Sequence, residues 1–192
     1  MNRVLALLLL LFFNATAIHQ AEGADFKAGV FSPPRLAPEF SLAGSDGAEL
    51  KLSRYRGKVV LLGFGFTHCP QVCPTTLAVL AQARKKLGAA ANEMQVVYIT
   101  VDPERDNAER LRQYLSSFDP TFVGGTGTPN QLTAVRKNFG VIANKVASAG
   151  GYSVDHSSSI YIIDRDGNLR AMMPYGRNAD DYVQDVKILL AK

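Results

Sequence analysis

The sequence predicts an α/β domain with a central mixed sheet flanked by helices. Residues 59–66 (VVLLGFGF) and 95–101 (QVVYITV) are continuous apolar runs of strand length, and helical patterns separate and follow them. Such runs are typical of strands that are buried on both faces of a parallel sheet. Near the end of the chain, Asp166-Gly167 lies between two strand-like segments, and this dipeptide is a strong signal for an antiparallel hairpin. The sheet is therefore expected to contain both parallel and antiparallel strands.

The other elements follow in an order that fits this fold. Residues 40–52 alternate around a turn and predict a small N-terminal β-hairpin. Pro74 is placed at the first position of a helix that Gly88 ends, and residues 148–151 are expected to be a polar loop. Further helices are predicted at 108–118, at 128–140, where Thr128-Pro-Asn-Gln is a capping box, and at 180–190. The succession of strand, helix, strand, two helices, hairpin and helix is the thioredoxin-like plan.

The N-terminal residues have the pattern of a secretory signal peptide. Arg3 precedes a ten-residue apolar run, residues 4–13, and residues 15–17 (Ala-Thr-Ala) form a small-x-small cleavage signal. The run is too short to cross a bilayer, which takes about 20 residues. We therefore expect residues 1–17 to be cleaved and the protein to be exported to a bacterial periplasm. The alternative is an uncleaved leader that anchors the chain in the inner membrane.

The rest of the chain is predicted to be a flexible lead-in, residues 18–37, followed by one thioredoxin-like domain, residues 38–192. The net charge of the whole chain is +4, and it falls to +3 when Arg3 is removed with the leader. These basic residues are spread along the sequence, whereas nucleic-acid binding needs a clustered basic face. No nucleic-acid partner is expected.

The only two cysteines, Cys69 and Cys73, are four residues apart in the run THCPQVCP. If both lie on one helical turn they share a face, with Cα atoms about 6 Å apart, which suits either a disulfide or a shared metal ion. A nearby helix N-terminus is expected to lower the pKa of the thiols. A bridge enclosing three residues would constrain the unfolded chain little. The pair therefore indicates chemistry rather than a structural staple.

Two further residues are candidates for the same site. His156 is the candidate third ligand, because in a thioredoxin-like fold the loop before the final hairpin faces the cysteine loop. Two thiols and an imidazole suit a soft ion such as Cu(I), or Zn(II). Asp102 follows the second buried strand at the carboxyl end of the sheet; we expect it to cap a turn, with the orientation of a ligand as a secondary hypothesis. His68 is expected to shape the loop.

Three motifs of this chain strongly resemble those of the Sco/SenC family, copper chaperones for cytochrome c oxidase assembly. They are FGFTHCPQVCP, TVDPERD, and VDHSSSIYIID followed by DG, within a likeness that runs from residue 38 to the C-terminus. The resemblance implies copper ligands at Cys69, Cys73 and His156, and a functional carboxylate at Asp102. Gln71 is a departure, because it takes a place often filled by Asp; this removes a charge beside the site but no ligand.

The resemblance implies a carrier that delivers copper to the binuclear copper centre in the second subunit of the oxidase. Cu(I) is the favoured form of the cargo, with Cu(II) as the alternative. A copper donor and a thiol reductant are implied partners, since a Cys69–Cys73 disulfide would be the inactive state. The resemblance therefore favours a metallochaperone over an enzyme, with a thiol–disulfide oxidoreductase as the alternative.

Two alternative functions use the same cysteines. A thiol–disulfide oxidoreductase that reduces the cysteines of the oxidase would need Cys69 and Cys73 but not His156. A thiol peroxidase is disfavoured, because its P-x-x-x-T-x-x-C motif requires a threonine where this chain has Phe66 or Pro70.

Overall fold

The computed structural model describes residues 25–148 and 150–191, so the predicted signal peptide lies outside the described residues. The described part contains ten strands, four α-helices and two short 3₁₀ helices, Leu52–Tyr55 and Gly88–Glu93. The strands are β1 (Gly29–Leu36), β2 (Ser41–Gly44), β3 (Glu49–Lys51), β4 (Val59–Gly65), β5 (Met94–Thr100), β6 (Val123–Thr126), β7 (Ala143–Ser148), β8 (Gly151–His156), β9 (Ile160–Ile163) and β10 (Asn168–Met173). The helices are α1 (Val72–Leu87), α2 (Ala108–Ser116), α3 (Pro129–Phe139) and α4 (Ala179–Leu190).

Eight of the strands form one mixed sheet in the order β1-β10-β9-β4-β5-β6-β2-β3. The central strands β4, β5 and β6 are parallel, whereas β9, β10 and β1 on one side and β2 and β3 on the other are antiparallel to their neighbours. Every residue of β4 and β5 is buried, which accounts for their continuous apolar runs. The predicted mixed sheet and N-terminal hairpin are confirmed.

The helices cover this sheet through apolar faces. α1 packs against α4, and α2 packs against β6. Leu77 and Leu80 of α1 and Val186 of α4 are fully buried, and each such side chain contributes about 1.5–3 kcal/mol to folding. Within the described residues, no helix combines the length and the apolar character that crossing a membrane requires.

The N-terminal edge of the sheet differs from the prediction. Residues 29–36, which belong to the predicted flexible lead-in, form β1 and pair with β10. The pairing register shifts between Val30 and Arg35, across the Pro33-Pro34 pair. Proline cannot donate to a strand ladder but is tolerated at a sheet edge. The two prolines, taken as a sign of flexibility, therefore mark an irregular edge strand, and the prediction is wrong for this part of the segment.

Two local features near the site also differ from the prediction. The polar loop expected around residues 148–151 lies between two strands that were not predicted, β7 and β8, which pair with each other and with no other described strand. Val154 is the one buried residue of these two strands, so they lack the apolar alternation that indicates a strand. Pro74 is the third residue of α1 rather than the first. It fits there because the amides of a first helical turn have no partner within the helix.

We expect Thr128→Ala to lower the free energy of unfolding by about 1 kcal/mol, the usual cost of losing an N-cap. The Thr128 side chain accepts a hydrogen bond from the Gln131 amide at 3.3 Å, and the Gln131 side chain accepts one from the Thr128 amide at 2.9 Å. Urea unfolding measures the change as a shift in midpoint at constant slope. Thr128→Ser keeps the cap and is the control; equal losses in both variants would show that the cap is not the cause.

Candidate metal centre

The cysteine loop connects the end of β4 to the start of α1. Cys73 is the second residue of α1, whereas Cys69 precedes the helix. The two cysteines therefore do not lie on one helical turn, which differs from the arrangement considered from the sequence. The Cys69 amide donates to the Phe66 carbonyl at 3.3 Å, and the Cys73 amide lies 3.4 Å from Cys69 Sγ. The Cys69 sulfur therefore caps the first turn of α1, where free backbone amides favour negative charge. Both cysteines are free thiols.

The two thiols differ in environment. Cys73 is 3% exposed and packs in the hydrophobic core, whereas Cys69 is half-buried. Burial raises the pKa of the Cys73 thiol to about 12, because apolar surroundings disfavour the thiolate more than nearby hydrogen-bond donors favour it. The expected lowering of the thiol pKa by the helix N-terminus is therefore wrong for Cys73, where desolvation is the larger effect.

His156 is the last residue of β8 and reaches the buried cysteine. Its Nε2 lies 3.6 Å from Cys73 Sγ, and its Nδ1 lies 2.8 Å from the Ser157 carbonyl oxygen. A carbonyl can only accept, so Nδ1 carries the ring proton and the Nε2 lone pair faces the sulfur. Burial also lowers the pKa of His156, which favours the neutral imidazole that binds metals. The structure thus brings His156 and Cys73 together.

Two cavities meet at His156. An outer cavity of about 320 Å³ is lined by Phe66, Cys69, Val72 and His156 among others. An inner cavity of about 10 Å³ is lined by Cys73, Tyr98 and His156 among others. In the described part of the chain, no three Cys, His, Asp or Glu side chains already surround one point that could hold a metal ion. Adding Cys69 Sγ to the Cys73–His156 pair therefore requires a local shift of the loop or the hairpin.

Asp106 anchors the cysteine loop. This carboxylate is completely buried and accepts hydrogen bonds from the Thr67 amide at 3.0 Å, the Thr67 hydroxyl at 2.6 Å and the Thr100 hydroxyl at 2.7 Å. His68 Nδ1 lies 3.1 Å from the same Thr67 hydroxyl, a contact that fits the role in shaping the loop expected for His68. Sequence reasoning did not identify Asp106 as a site residue, although it ends the D-P-E-R-D motif.

Asp102 anchors the hairpin that carries His156. It is also completely buried; one carboxylate oxygen accepts from the Tyr152 hydroxyl at 2.8 Å, and the other pairs with Arg105 Nε. Arg105 Nη1 donates to the Tyr152 carbonyl at 3.1 Å, and its guanidinium lies 3.9 Å from the centre of the Tyr152 ring. Asp102 therefore acts on the element that carries His156. Arg105 and Tyr152 were missed, because no pattern in the sequence links them.

Aromatic contacts also link Arg105 to the candidate ligand His156. The Phe66 ring packs edge-on against the His156 ring, with centroids 5.8 Å apart. The Arg105 guanidinium, which also contacts the Tyr152 ring, lies 5.7 Å from the centre of the Phe66 ring. Phe66 is 2% exposed, so it fixes the imidazole against a rigid neighbour. The imidazole plane is set by packing on one side and by the Ser157 carbonyl on the other.

The chain matches known proteins over most of its length. The SCO1/SenC family profile matches residues 31–191. The mitochondrial SCO2 homolog of Mus musculus is 36% identical over 153 residues, which are 78% of this chain and 60% of that protein. The chain spans about half to 60% of the length of the first curated relatives that it matches.

Two solved structures show the same fold. The copper-bound ScoI of Bradyrhizobium japonicum superposes with a TM-score of 0.75 at 35% identity, covering 81% of this chain and 99% of the other. BsSco, described as a member of the Sco family of cytochrome c oxidase assembly proteins in which a disulfide switch was identified, superposes with a TM-score of 0.68. It is 25% identical and covers 83% of this chain and 98% of its own.

We expect Tyr152→Phe to loosen the hairpin without unfolding the domain. The variant leaves one buried oxygen of Asp102 without its 2.8 Å donor, and an unpaired buried acceptor costs about 1–3 kcal/mol. Amide hydrogen exchange in residues 151–156 should become faster, while exchange in β4 and β5 stays slow. Tyr175→Phe, at a side chain that is 42% exposed, is the control. Unchanged exchange in the hairpin would contradict the anchoring role of Asp102.

Proposed function

Because this chain belongs to the SCO1/SenC family, we propose that it is an exported copper carrier. In this proposal Cys69, Cys73 and His156 hold the copper, and the cargo is delivered to the binuclear copper centre of cytochrome c oxidase. The observation that carries the proposal is the approach of His156 Nε2 to Cys73 Sγ at 3.6 Å, with the other ring nitrogen bound to a backbone carbonyl.

The chemistry of these three side chains suits copper. Thiolates and a neutral imidazole are the ligands that Cu(I) prefers among protein groups. The Ser157 carbonyl fixes the proton on Nδ1, and such second contacts orient a metal-binding histidine and strengthen it as a ligand. Copper bound at this place would leave the Cys73 sulfur as thiolate, so binding releases the proton that burial otherwise keeps on this thiol.

The proposed function requires both cysteines to be reduced. Closing a Cys69–Cys73 disulfide removes two electrons and two protons and leaves no thiolate for the metal. A thiol reductant would return the two electrons and two protons before copper is loaded from a donor. Cys69 lies beside the outer cavity, so it is the thiol that an incoming partner can reach. The disulfide switch described for BsSco supports a similar use of this pair.

Separate observations support the client, the cargo and the compartment. The description of BsSco as an oxidase assembly protein supports the oxidase as the client. The copper-bound ScoI supports copper as the cargo. The leader-like pattern at residues 1–17 supports export to the periplasm, with anchoring through an uncleaved leader as the alternative.

We expect the reduced protein to bind one Cu(I) per chain in competition with a chromogenic chelator. We expect binding to weaken by at least about tenfold in each of three variants, Cys69→Ser, Cys73→Ser and His156→Ala, because each removes one of three proposed ligands. Replacing even a residue that only supports a metal ligand typically lowers metal affinity about 10–100-fold. Competition titrations of the wild type and the three variants under anaerobic conditions measure the affinities.

His68→Ala is the matched control for the histidine variant. His68 is adjacent to Cys69 but has a side chain that is 45% exposed, and it is not a proposed ligand. It contacts the Thr67 hydroxyl at 3.1 Å but supplies no ligand, so its replacement should weaken copper binding much less than His156→Ala does. Equal loss in His68→Ala and His156→Ala, or wild-type affinity in the cysteine variants, would overturn the copper-carrier proposal.

A thiol–disulfide oxidoreductase is the second candidate, favoured by the half-buried Cys69 beside an open cavity of about 320 Å³. Such an enzyme would exchange with a dicysteine peptide at the same rate in the wild type and in His156→Ala. The copper carrier is instead expected to exchange slowly, because the Cys73 thiol remains protonated near neutral pH. Rapid exchange that does not depend on His156, together with weak copper binding, would favour the oxidoreductase.

A further inference from the structure

The side chain of Tyr98 lies against the neighbouring strand β4 and reaches the candidate metal centre. Tyr98 lies on β5 opposite Gly63 of β4. A Cβ on Gly63 would lie 3.2 Å from the Tyr98 ring, and a Cβ on Gly65 would lie 1.8 Å from its hydroxyl. Two glycines in a buried central strand normally weaken it. Here they leave the space along β4 in which the tyrosine ring lies.

The Tyr98 hydroxyl ends beside the buried cysteine. A Cβ added to Gly65 would lie 1.8 Å from the Tyr98 hydroxyl and 2.8 Å from Cys73 Sγ. The hydroxyl and the sulfur are therefore neighbours. Tyr98 also lines the small inner cavity together with Cys73 and His156. The side chain is 2% exposed, and its hydroxyl makes no hydrogen bond that meets normal geometry in the structure. A buried donor of this kind is destabilising unless it finds an acceptor.

We propose that Tyr98 is a positioning residue whose hydroxyl donates a hydrogen bond to the Cys73 sulfur when that sulfur is a copper-bound thiolate. This inference rests on the copper-carrier function proposed above. It follows from the chemistry of the acceptor, because a neutral thiol accepts hydrogen bonds weakly whereas an ionised acceptor makes markedly stronger ones. In the metal-free protein the hydroxyl therefore has only a weak acceptor beside it, and it gains a strong one when copper is bound.

This arrangement has an unusual energetic consequence. In the metal-free protein, replacing the tyrosine with phenylalanine removes a buried hydroxyl that has only a weak acceptor and keeps the ring, so it should leave stability unchanged or raise it. In the copper-bound protein the same replacement removes a hydrogen bond to a charged acceptor. Tyr98 therefore favours the loaded state over the empty state, whereas a residue that only packs in the core would stabilise both.

The test compares Tyr98→Phe with Tyr55→Phe. Tyr55 also has a buried hydroxyl without a hydrogen-bond partner, but it lies in the turn Leu52–Tyr55 and lines neither cavity of the site. We expect Tyr98→Phe to weaken Cu(I) binding about tenfold, the effect typical of one hydrogen bond to a charged group. The unfolding midpoint of its metal-free form should equal or exceed that of the wild type. Tyr55→Phe should bind copper as the wild type does.

The outcomes separate this inference from the function on which it rests. If the wild type binds copper through Cys73 and His156, but Tyr98→Phe binds equally well, the role of Tyr98 is disproved and the carrier function stands. A loss of metal-free stability that accompanies the loss of affinity would also overturn the inference, because it indicates packing alone. If the wild type itself does not bind copper, the carrier function fails.

Discussion

Both halves of the candidate metal centre depend on two buried carboxylates in one short segment, residues 102–106. Asp106 holds the cysteine loop through Thr67, and Asp102 holds the hairpin that carries His156 through Tyr152. Burying a carboxylate is costly unless its oxygens are fully hydrogen-bonded. Because both are completely buried, the cysteine loop and the hairpin each take their place only when the hydrogen bonds to their own carboxylate form. The segment follows β5 directly, so the rigidity of the central sheet is transmitted to the site.

In the proposed carrier, the two thiols held by this framework would have different tasks. Cys73 is enclosed, and burial raises the pKa of its thiol; Cys69 lies at the helix N-terminus and faces an open cavity. Ligand exchange with a partner protein needs one accessible ligand, and selectivity for a soft metal needs a protected one. The asymmetry supplies both within residues 69–73. The proton that burial keeps on Cys73 is displaced only by a group that binds the thiolate strongly.

The fold and the candidate ligands could be predicted from the sequence because they depend on local patterns. Continuous apolar strands, a capping box and an Asp-Gly turn each report on their own segment, and Cys69 and Cys73 are conspicuous as the only cysteines. The β7–β8 hairpin could not be found, because its strands are polar and held by side chains. The prediction of a lowered pKa for Cys73 was wrong because it used only the start of a helix, which is visible in the sequence. The depth of burial, which raises this pKa, depends on packing from distant segments.

In the proposed carrier, the hairpin offers a way for the site to release copper. Among the described strands, β7 and β8 pair only with each other, so His156 is held by Tyr152, Arg105 and Phe66 rather than by the ladder of the main sheet. Cys73, in contrast, belongs to a helix packed on the core. Moving the hairpin breaks a few side-chain contacts, whereas moving Cys73 would disturb the core. The site therefore joins a fixed candidate ligand, Cys73, to a movable one, His156, an arrangement suited to the reversible binding proposed above.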